Sequence, residues 1–314
     1  MELGHDVTCL ARGASGDPPE GAVFVRADRS DGAAYEQVAT QRWDGVVDVA
    51  RQPGQVRSAV QALAGRTSLY VFVSSCSVYA DDSTPGQAED GALLAPLQGD
   101  VMENMESYGE AKVACEQHVQ RGMGRDRALI ARVGLIGGPG DIFDRSGYWP
   151  LRFARPASED GAVLVPDAPD LVAQVIDVRD LAAWIVDAAH RGVTGTFNVT
   201  GDSVPFLQHL ETARAVAGHT GPVVRADQRW LLSRGVQEWM GPRSLPLWLA
   251  DPDWLGGNAN DSTRARRAGL VTRPLHETLA DTLAWEQTRD PARTRQAGLS
   301  DDEERALLAA LARA

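Results

Sequence analysis

The chain has 314 residues, which is enough for about two domains. Hydrophobic residues make up 43% of it and charged residues 24%, which is an ordinary composition for a globular protein. This composition excludes a disordered or collagen-like chain. A net charge of −12 argues against nucleic acid or an anionic membrane as the main partner. The apolar stretches fall far short of the ~20 residues that span a bilayer. The three cysteines lack metal-site or disulfide spacing, so we expect a cytoplasmic protein without a metal site.

Short β-branched runs alternate with helical patterns over the first two-thirds of the sequence, which is typical of a parallel sheet built from βαβ units. The runs at 46–49, 70–73 and 128–133 are apolar without alternation, which predicts strands covered on both faces. We therefore predict a doubly wound, Rossmann-type α/β domain. The predicted strands are Asp6–Leu10, Val23–Val25, Gly45–Val49, Leu69–Ser74, Ala128–Val133, Gln174–Ile176 and Thr196–Val199. The predicted helices are Gly32–Arg42, Gly54–Gly65, Ser107–Arg121 and Val178–His190.

The rest of the sequence has a different pattern. Asp141–Ala173 is rich in proline and glycine and predicts loops, whereas the sequence from Asp202 onward is mostly helical. A capping box at Ser300 and Glu303 begins the last helix. The other predicted helices are Pro205–Ala217, Gln228–Met240, Arg264–Ala268 and Leu275–Glu286. We expect a dinucleotide-binding domain at 1–140 and 174–201, a smaller substrate domain at 141–173 and 202–286, and a linker with a C-terminal helix at 287–314.

The first residues look like the end of a helix that runs into a strand, whereas a dinucleotide-binding unit starts with a strand and a glycine-rich turn. In the doubly wound order the first strand lies between strands 2 and 4, so its loss would leave buried peptide groups unpaired. We expect that this first strand is missing from the chain and that residues precede it; alternatively, another segment fills its position. The spacing of Gly134, Gly137 and Gly140 is similar to that of a phosphate-binding loop, but no helical pattern follows these glycines. We interpret them as the loop after a later strand.

A candidate acid/base set follows the strand that ends near Ser74. The sequence there is SSCSVY, and Tyr108 and Lys112 lie four residues apart on a predicted helix, so they share one face. An isolated phenol has a pKa near ~10, and a neighbouring ammonium favours its ionised form. Ser75 at the end of a parallel strand would hydrogen-bond the substrate oxygen, and Ser77 is the alternative for that role.

With these residues, the sequence resembles the extended or atypical short-chain dehydrogenase/reductase superfamily, in its NAD-dependent epimerase/dehydratase branch. The further motifs are RVGLIGGPG at 132–140, IDVRDLA at 176–182 and FNVTG at 197–201, and the resemblance covers about residues 1–286. It implies that Tyr108 is the general acid/base, that Lys112 assists it and binds the nicotinamide ribose, and that Ser75 polarises the substrate. It assigns cofactor binding to Arg12, Asp28, Ala50, Arg51, Ser74, Tyr108, Lys112, Val133 and Leu135.

The resemblance also indicates which cofactor the protein uses and which type of reaction it catalyses. An arginine at position 12 suits the 2′-phosphate of NADP, so we expect NADP, with NAD as the alternative. The glycine-rich loop has no counterpart, and a truly truncated chain would be inactive. The family's dehydratases place an Asp-Glu pair after the serine or threonine, where this chain has Cys76 and Ser77. We therefore favour an NAD(P)-dependent oxidoreductase that transfers hydride to or from a carbonyl or hydroxyl carbon.

Two alternatives stay open. One is a nucleotide-sugar epimerase, and the other is a non-catalytic NAD(P)- or RNA-binding regulator of the same fold. The substrate is expected to be a small molecule, with a sugar or nucleotide sugar as a candidate, and a homodimer is one assembly that the resemblance suggests. The acidic net charge and the intact Ser–Tyr–Lys set both disfavour the regulator.

Overall fold

The computed structural model describes residues 4–14 and 16–313, and it has the α/β architecture that the sequence predicts. The strands are β1 (Thr8–Ala11), β2 (Val23–Arg26), β3 (Trp43–Asp48), β4 (Thr67–Ser75), β5 (Ala128–Val133), β6 (Leu135–Gly137), β7 (Val163–Pro166), β8 (Val172–Asp177), β9 (Gly195–Val199), β10 (Ser203–Pro205), β11 (Val223–Ala226), β12 (Gln237–Trp239), β13 (Gly241–Pro242), β14 (Ser244–Pro246) and β15 (Ala297–Gly298). The helices are α1 (Pro53–Leu63), α2 (Tyr108–Met123), α3 (Tyr148–Ala154), α4 (Val178–His190), α5 (Phe206–Val216), α6 (Gln228–Ser233), α7 (Thr263–Arg267), α8 (Leu275–Thr288) and α9 (Asp301–Leu311).

The chain divides into two compact units. The first consists of Met1–Val78, Leu93–Ala131 and Ala189–Thr196, and the second of Tyr79–Ala92, Arg132–Ala188 and Phe197–Ala314. Strands β3, β4, β5 and β9 form a sheet in that order, and β1 and β2 of the first unit form a separate parallel pair. Helix α1 places Val56, Ala59, Val60 and Leu63 on one face, and this apolar face packs in the same core as Tyr70 and Phe72 of β4.

The prediction that the run at 46–49 is covered on both faces was wrong. Val47 is 53% exposed and Val49 is 71% exposed. The reason is that β3 is the outermost strand of its sheet: it pairs with β4 on one side, and no other described strand pairs with it. Among the described strands, β1 and β2 pair with each other and not with β3.

Two predicted helices are shorter than expected. Gly32–Arg42 contains turns and a 3-10 turn at Val38–Thr40, because the side chains of Asp28 and Asp31 accept hydrogen bonds from amides two residues later and favour turns over a helix. Helix α6 ends at Ser233, since Gly235 takes the left-handed conformation with φ 73°, and the chain then enters β12.

The predicted loop region Asp141–Ala173 was also partly wrong, because it holds α3, β7 and the beginning of β8. Pro150 lies in the first turn of α3, where its missing N–H costs no helical hydrogen bond. Trp149 and Phe153 of this helix are buried in the core of the second unit, which explains why a helix forms in a segment rich in proline. The glycines at 134–140 form a loop that no helix directly follows, as predicted.

The C-terminal segment is an integral part of the second unit. The predicted capping box is present, with Ser300 and Glu303 exchanging hydrogen bonds at the start of α9. Glu304 is buried, accepts the amide of Leu164 at 2.8 Å, and forms an ion pair with Arg152 at 2.9 Å. Leu307 on the same helix joins the apolar core. The tail therefore stabilises its own unit through both charge pairing and apolar packing.

His209 on α5 is fully buried, and among the described residues neither ring nitrogen has a hydrogen-bond partner. Burial lowers the pKa of His209 from 6.5 to about 4. At a pH between the two pKa values, the unfolded chain binds a proton at His209 that the folded chain does not bind. The free energy of unfolding therefore falls as the pH falls.

We predict that protonation of His209 in the unfolded chain lowers the free energy of unfolding by roughly 2 kcal/mol when the pH is reduced from 7.5 to 5. The check is urea unfolding of the parent and of His209→Leu at both pH values. The variant should lose less stability than the parent on acidification. Equal losses in the two proteins would contradict the prediction.

Candidate active site

Ser75 ends β4, and the chain then turns through a 3-10 turn at Cys76–Val78. The Ser75 hydroxyl donates to the Ser77 hydroxyl at 3.0 Å and accepts the Ser77 amide at 3.2 Å. These contacts fix the Ser75 side chain at the carboxyl end of a parallel strand, the edge where α/β sheets bind ligands. Ser77, the alternative candidate, acts in this geometry as the partner that orients Ser75.

Lys112 is the most constrained charged group of the site. It is only 3% exposed, and its Nζ donates to the Ala50 carbonyl at 2.8 Å and to the Val73 carbonyl at 2.7 Å. The same ammonium lies 4.6 Å from the centre of the Phe72 ring. Burial lowers the pKa of Lys112 to about 8, against the opposing effect of nearby groups. The ammonium is therefore held in one place, one helical turn from Tyr108.

The start of α2 lies directly against the turn that follows Ser75. A Cβ on Gly109 would stand 2.2 Å from the Ser77 carbonyl oxygen, so only glycine allows this approach. Tyr108, the neighbouring residue, is thereby brought to the same end of β4 as Ser75. Sequence reasoning missed Gly109, although a glycine beside the tyrosine in the first turn of a helix is a signal of close backbone packing.

The Ser74 side chain forms a buried contact with helix α2. Its hydroxyl donates to the Glu116 carboxylate at 2.6 Å, and both residues are buried. Glu116 lies one turn beyond Lys112 on α2, so this bond ties the middle of the helix to the end of β4. Sequence analysis did not identify Glu116. The available signal was its position on the same buried helix face as Lys112, because a buried carboxylate requires a hydrogen-bond or charge partner.

Arg12 and Asp28 lie just beyond the carboxyl ends of the parallel strands β1 and β2. The Arg12 Nη1 and Asp28 Oδ2 atoms are 4.0 Å apart, and the two side chains are 69% and 51% exposed. The amide and hydroxyl of Ser30 hold the pKa of Asp28 below its usual value. An exposed pair at this separation is weakly coupled, so the Arg12 guanidinium can bind an anionic ligand.

The remaining residues assigned to the cofactor lie in two places. Ala50 follows β3 and supplies one of the two carbonyls that hold Lys112, while the exposed Arg51 points to the sulfur of Met105 at 3.8 Å. Val133 and Leu135 belong to the second unit, where Val133 ends β5, Leu135 begins β6 and both side chains are buried.

Three motif residues of the second unit form one buried network. Tyr79 donates to the side-chain oxygen Oδ1 of Asn198 at 2.6 Å, and Arg132 donates to the Tyr79 hydroxyl at 3.2 Å. The backbone amide of Asn198 donates to the Glu89 carboxylate at 2.8 Å. These residues come from the SVY, RVGLIGGPG and FNVTG motifs, so part of the sequence signature reflects internal packing of this unit.

Every helix in the described part of the chain is too short or too polar to span a bilayer.

Residues 56–200 match the family model for the NAD dependent epimerase/dehydratase family. A solved structure from Burkholderia cenocepacia J2315 is 21% identical, with TM-score 0.67, over 91% of this chain and 92% of that one. UDP-glucose 4-epimerase from Thermotoga maritima, solved with UDP-glucose, is 16% identical, with TM-score 0.63, over 91% and 92%. RMD from Pseudomonas aeruginosa, complexed with NADPH, is 18% identical, with TM-score 0.56, over 88% and 93%. No curated protein matches the sequence.

Residues 56–200 thus match the NAD dependent epimerase/dehydratase family model, and the solved structures share the α/β fold over about nine-tenths of the chain. The resemblance inferred from the sequence motifs is confirmed. The solved structures are less than 25% identical and therefore support the fold rather than a particular substrate.

The contact between Gly109 and Ser77 generates a prediction. Gly109→Ala should lower the free energy of unfolding by roughly 1–3 kcal/mol, because the new methyl group overlaps a backbone carbonyl that cannot move freely. Gly65→Ala is the matched control, since a Cβ there meets no atom within 4 Å. Urea unfolding measures both variants. Equal stability of Gly109→Ala and the parent would show that α2 does not lie against this turn.

Proposed function

We propose that this protein is an NADP-preferring oxidoreductase that reduces a ketone or aldehyde, with Tyr108 as the proton donor. The observation that carries this proposal is the buried Lys112 ammonium, held by two carbonyl oxygens one helical turn from Tyr108 and on the same helix face. A fixed positive charge favours the phenolate that remains after a proton leaves the tyrosine, which suits Tyr108 to donate and recover a proton.

Each side chain of the set has a distinct task in carbonyl reduction. The Ser75 hydroxyl donates a hydrogen bond to the carbonyl oxygen and holds it within reach of Tyr108. Tyr108 delivers its proton to that oxygen as negative charge develops there, and Lys112 stabilises the phenolate that results. The nicotinamide cofactor, when bound, supplies the hydride.

The described residues fit part of such a cofactor. Arg12 presents an exposed guanidinium at the strand ends, and an arginine binds a phosphate dianion through several N–H groups. We assign a ribose hydroxyl of the cofactor to Lys112, whose Nζ is held by two carbonyl oxygens. A glycine-rich turn that would contact the pyrophosphate has no counterpart within residues 4–14 and 16–313.

The residues after Ser75 favour reduction over water elimination. A dehydratase of this type requires acidic groups beside the serine, whereas Cys76 and Ser77 occupy those positions, and Ser77 is hydrogen-bonded to Ser75. Neither a thiol nor a hydroxyl supplies the acid that expels water.

Nucleotide-sugar epimerisation is the second candidate. The fold is similar to that of UDP-glucose 4-epimerase from Thermotoga maritima. In an epimerase the same three side chains would transfer the proton of a sugar hydroxyl, and a bound nicotinamide cofactor would take up the hydride and supply it to the opposite face. A nucleotide sugar is the substrate class in that case. A non-catalytic regulator has less support, because it would not require a lysine to be buried beside the tyrosine.

Tyr108→Phe tests the catalytic assignment. We expect the rate of NADPH oxidation with a panel of aldehydes and ketones to fall by about 10²–10⁴, because the proton donor is removed. The fluorescence titration of NADPH should be nearly unchanged. Unaltered turnover would contradict the role of Tyr108, and interconversion of UDP-sugars without net NADPH oxidation would favour the epimerase.

Arg12→Ala tests the cofactor preference. We expect NADPH affinity to fall roughly 10–100-fold, since charge-assisted hydrogen bonds to the 2′-phosphate are lost, and NADH affinity to stay unchanged. Arg66→Ala is the matched control, because Arg66 is an exposed arginine at the opposite end of β4. A parallel loss of NADH and NADPH affinity in Arg12→Ala would argue against 2′-phosphate recognition.

A further inference from the structure

Two buried carboxylates of the second unit lie among three arginines. Asp144, in the loop between β6 and α3, and Glu286, near the end of α8, each have side chains that are only 1% exposed. Arg289, Arg293 and Arg295 follow α8 along the chain. We call these five residues the arginine cluster, and all of them belong to the second unit.

The first two arginines are paired with the carboxylates at hydrogen-bond distance. The Nη1 of Arg289 donates to Asp144 at 2.6 Å and to Glu286 at 3.2 Å. The Nη2 of Arg293 lies 2.7 Å from an oxygen of Asp144 and 2.7 Å from an oxygen of Glu286. The two carboxylates are thus shared between two arginines.

Arg295 is the third arginine of the cluster, and its charge is not balanced by a close carboxylate. Its Nη2 lies 3.9 Å from the nearer oxygen of Glu286, which is beyond hydrogen-bond distance. Its guanidinium lies 5.7 Å from the centre of the Tyr148 ring. Burial lowers the pKa of Arg295, against the opposing effect of Glu286 and Asp144. The cluster therefore holds three cations and two anions.

The Nε and Nη2 atoms of Arg295 are buried and have no hydrogen-bond partner among the described residues. These two nitrogens form the edge of a guanidinium that binds carboxylates and phosphates in two-pronged pairs. Two other arginines of the same unit use this edge fully. Arg179 donates through it to Asp177 at 2.9 and 2.7 Å, and Arg273 donates through it to Asp180 at 2.9 and 2.7 Å.

A third donor of the cluster is in the same situation. The Nη1 of Arg293 is buried and has no hydrogen-bond partner in the described part of the chain. The side chains of Arg293 and Arg295 are 17% and 25% exposed, so the cluster reaches the surface of its unit. Since no hydrogen bond holds the Nε and Nη2 edge of Arg295, rotation of this side chain can turn that edge toward a ligand beside Arg293.

We propose that Arg293 and Arg295 bind the phosphoryl group of a small-molecule ligand. Its negative charge would balance the excess positive charge of the cluster, in a protein whose net charge of −12 otherwise repels anions. Three nitrogens on two guanidiniums suit the three terminal oxygens of a phosphoryl group, which point in different directions, better than the two coplanar oxygens of a carboxylate. Asp144 and Glu286 hold Arg293 in place for this contact.

This site goes beyond the proposed reduction. No residue of the arginine cluster belongs to the set of Ser75, Tyr108 and Lys112. Arg12, to which we assign the 2′-phosphate of NADP, belongs to the first unit, so the cluster supplies a separate contact for phosphate on the second unit. The phosphoryl group can be part of an organic phosphate or be free inorganic phosphate, since both present the same oxygens.

Calorimetric titration of the full chain with inorganic phosphate, at constant ionic strength, tests the site. We expect a dissociation constant of about 1 mM for the parent and at least roughly tenfold weaker binding for Arg295→Gln, because the charge and the two-pronged edge are both lost. Arg229→Gln is the matched control, since Arg229 is an exposed arginine on α6 of the same unit, and it should bind phosphate as the parent does.

Thermal unfolding gives a second measurement. Replacing chloride by about 20 mM phosphate should raise the thermal midpoint of the parent by roughly 3 °C more than that of Arg295→Gln. The difference between the two proteins is the readout, because phosphate also stabilises proteins by exclusion from their surface. Arg295→Lys keeps the charge without the two-pronged edge, so it should bind phosphate more weakly than the parent even if Arg295→Gln does not fold.

Three results would overturn the proposal. The first is a parent that binds no phosphate at about 20 mM, and the second is an equal effect of phosphate on the parent and on both Arg295 variants. The third is acetate binding as tight as phosphate binding, which would assign the site to a carboxylate. Glycerol phosphate that binds more tightly than inorganic phosphate would support an organic ligand, and the reverse order would support free phosphate. None of these measurements depends on turnover, so a failure of the proposed reduction is distinguishable.

Discussion

The buried ammonium of Lys112 is the constraint on which the arrangement of the site depends. Placing a cation in the core costs free energy, which is why its pKa falls to about 8, and the two carbonyl bonds offset part of that cost. The carbonyls belong to Ala50 after β3 and Val73 within β4, so one side chain of α2 fixes two strands and its own helix together. A residue whose burial is unfavourable for stability thereby fixes the geometry of the proposed acid/base set.

Two further contacts make this geometry unique. Gly109 allows the first turn of α2 to touch the carbonyl of Ser77, and the Ser74–Glu116 bond fixes the same helix two turns further along. A helix held at both points cannot rotate, so Tyr108 and Lys112 keep their side toward the end of β4. The positioning groups flank the reacting groups and are drawn from the same helix and the same strand.

The sequence predicted most of the local structure and the principal candidate residues. The periodicity at 178–190 predicted α4 with its observed bounds, and the tyrosine–lysine spacing predicted a shared face because it depends only on helix geometry. Gly109 and Glu116 could not be identified in the same way, since their roles depend on which strand the helix meets. The exposure of Val47 was missed for a related reason: an apolar run indicates burial but does not reveal whether a neighbouring strand is present.

The proposed acid/base set and the proposed cofactor-binding residues Arg12 and Asp28 depend on different parts of the first unit. Ser75, Tyr108 and Lys112 rest on β4 and α2, which are fully supported by their own sheet and core. Arg12 and Asp28 rest on the two-stranded pair β1–β2, and isolated two-stranded pairs are only marginally stable. The ion pair between Arg29 and Asp48 is one polar link between that pair and the main sheet, and it lies at the carboxyl edge.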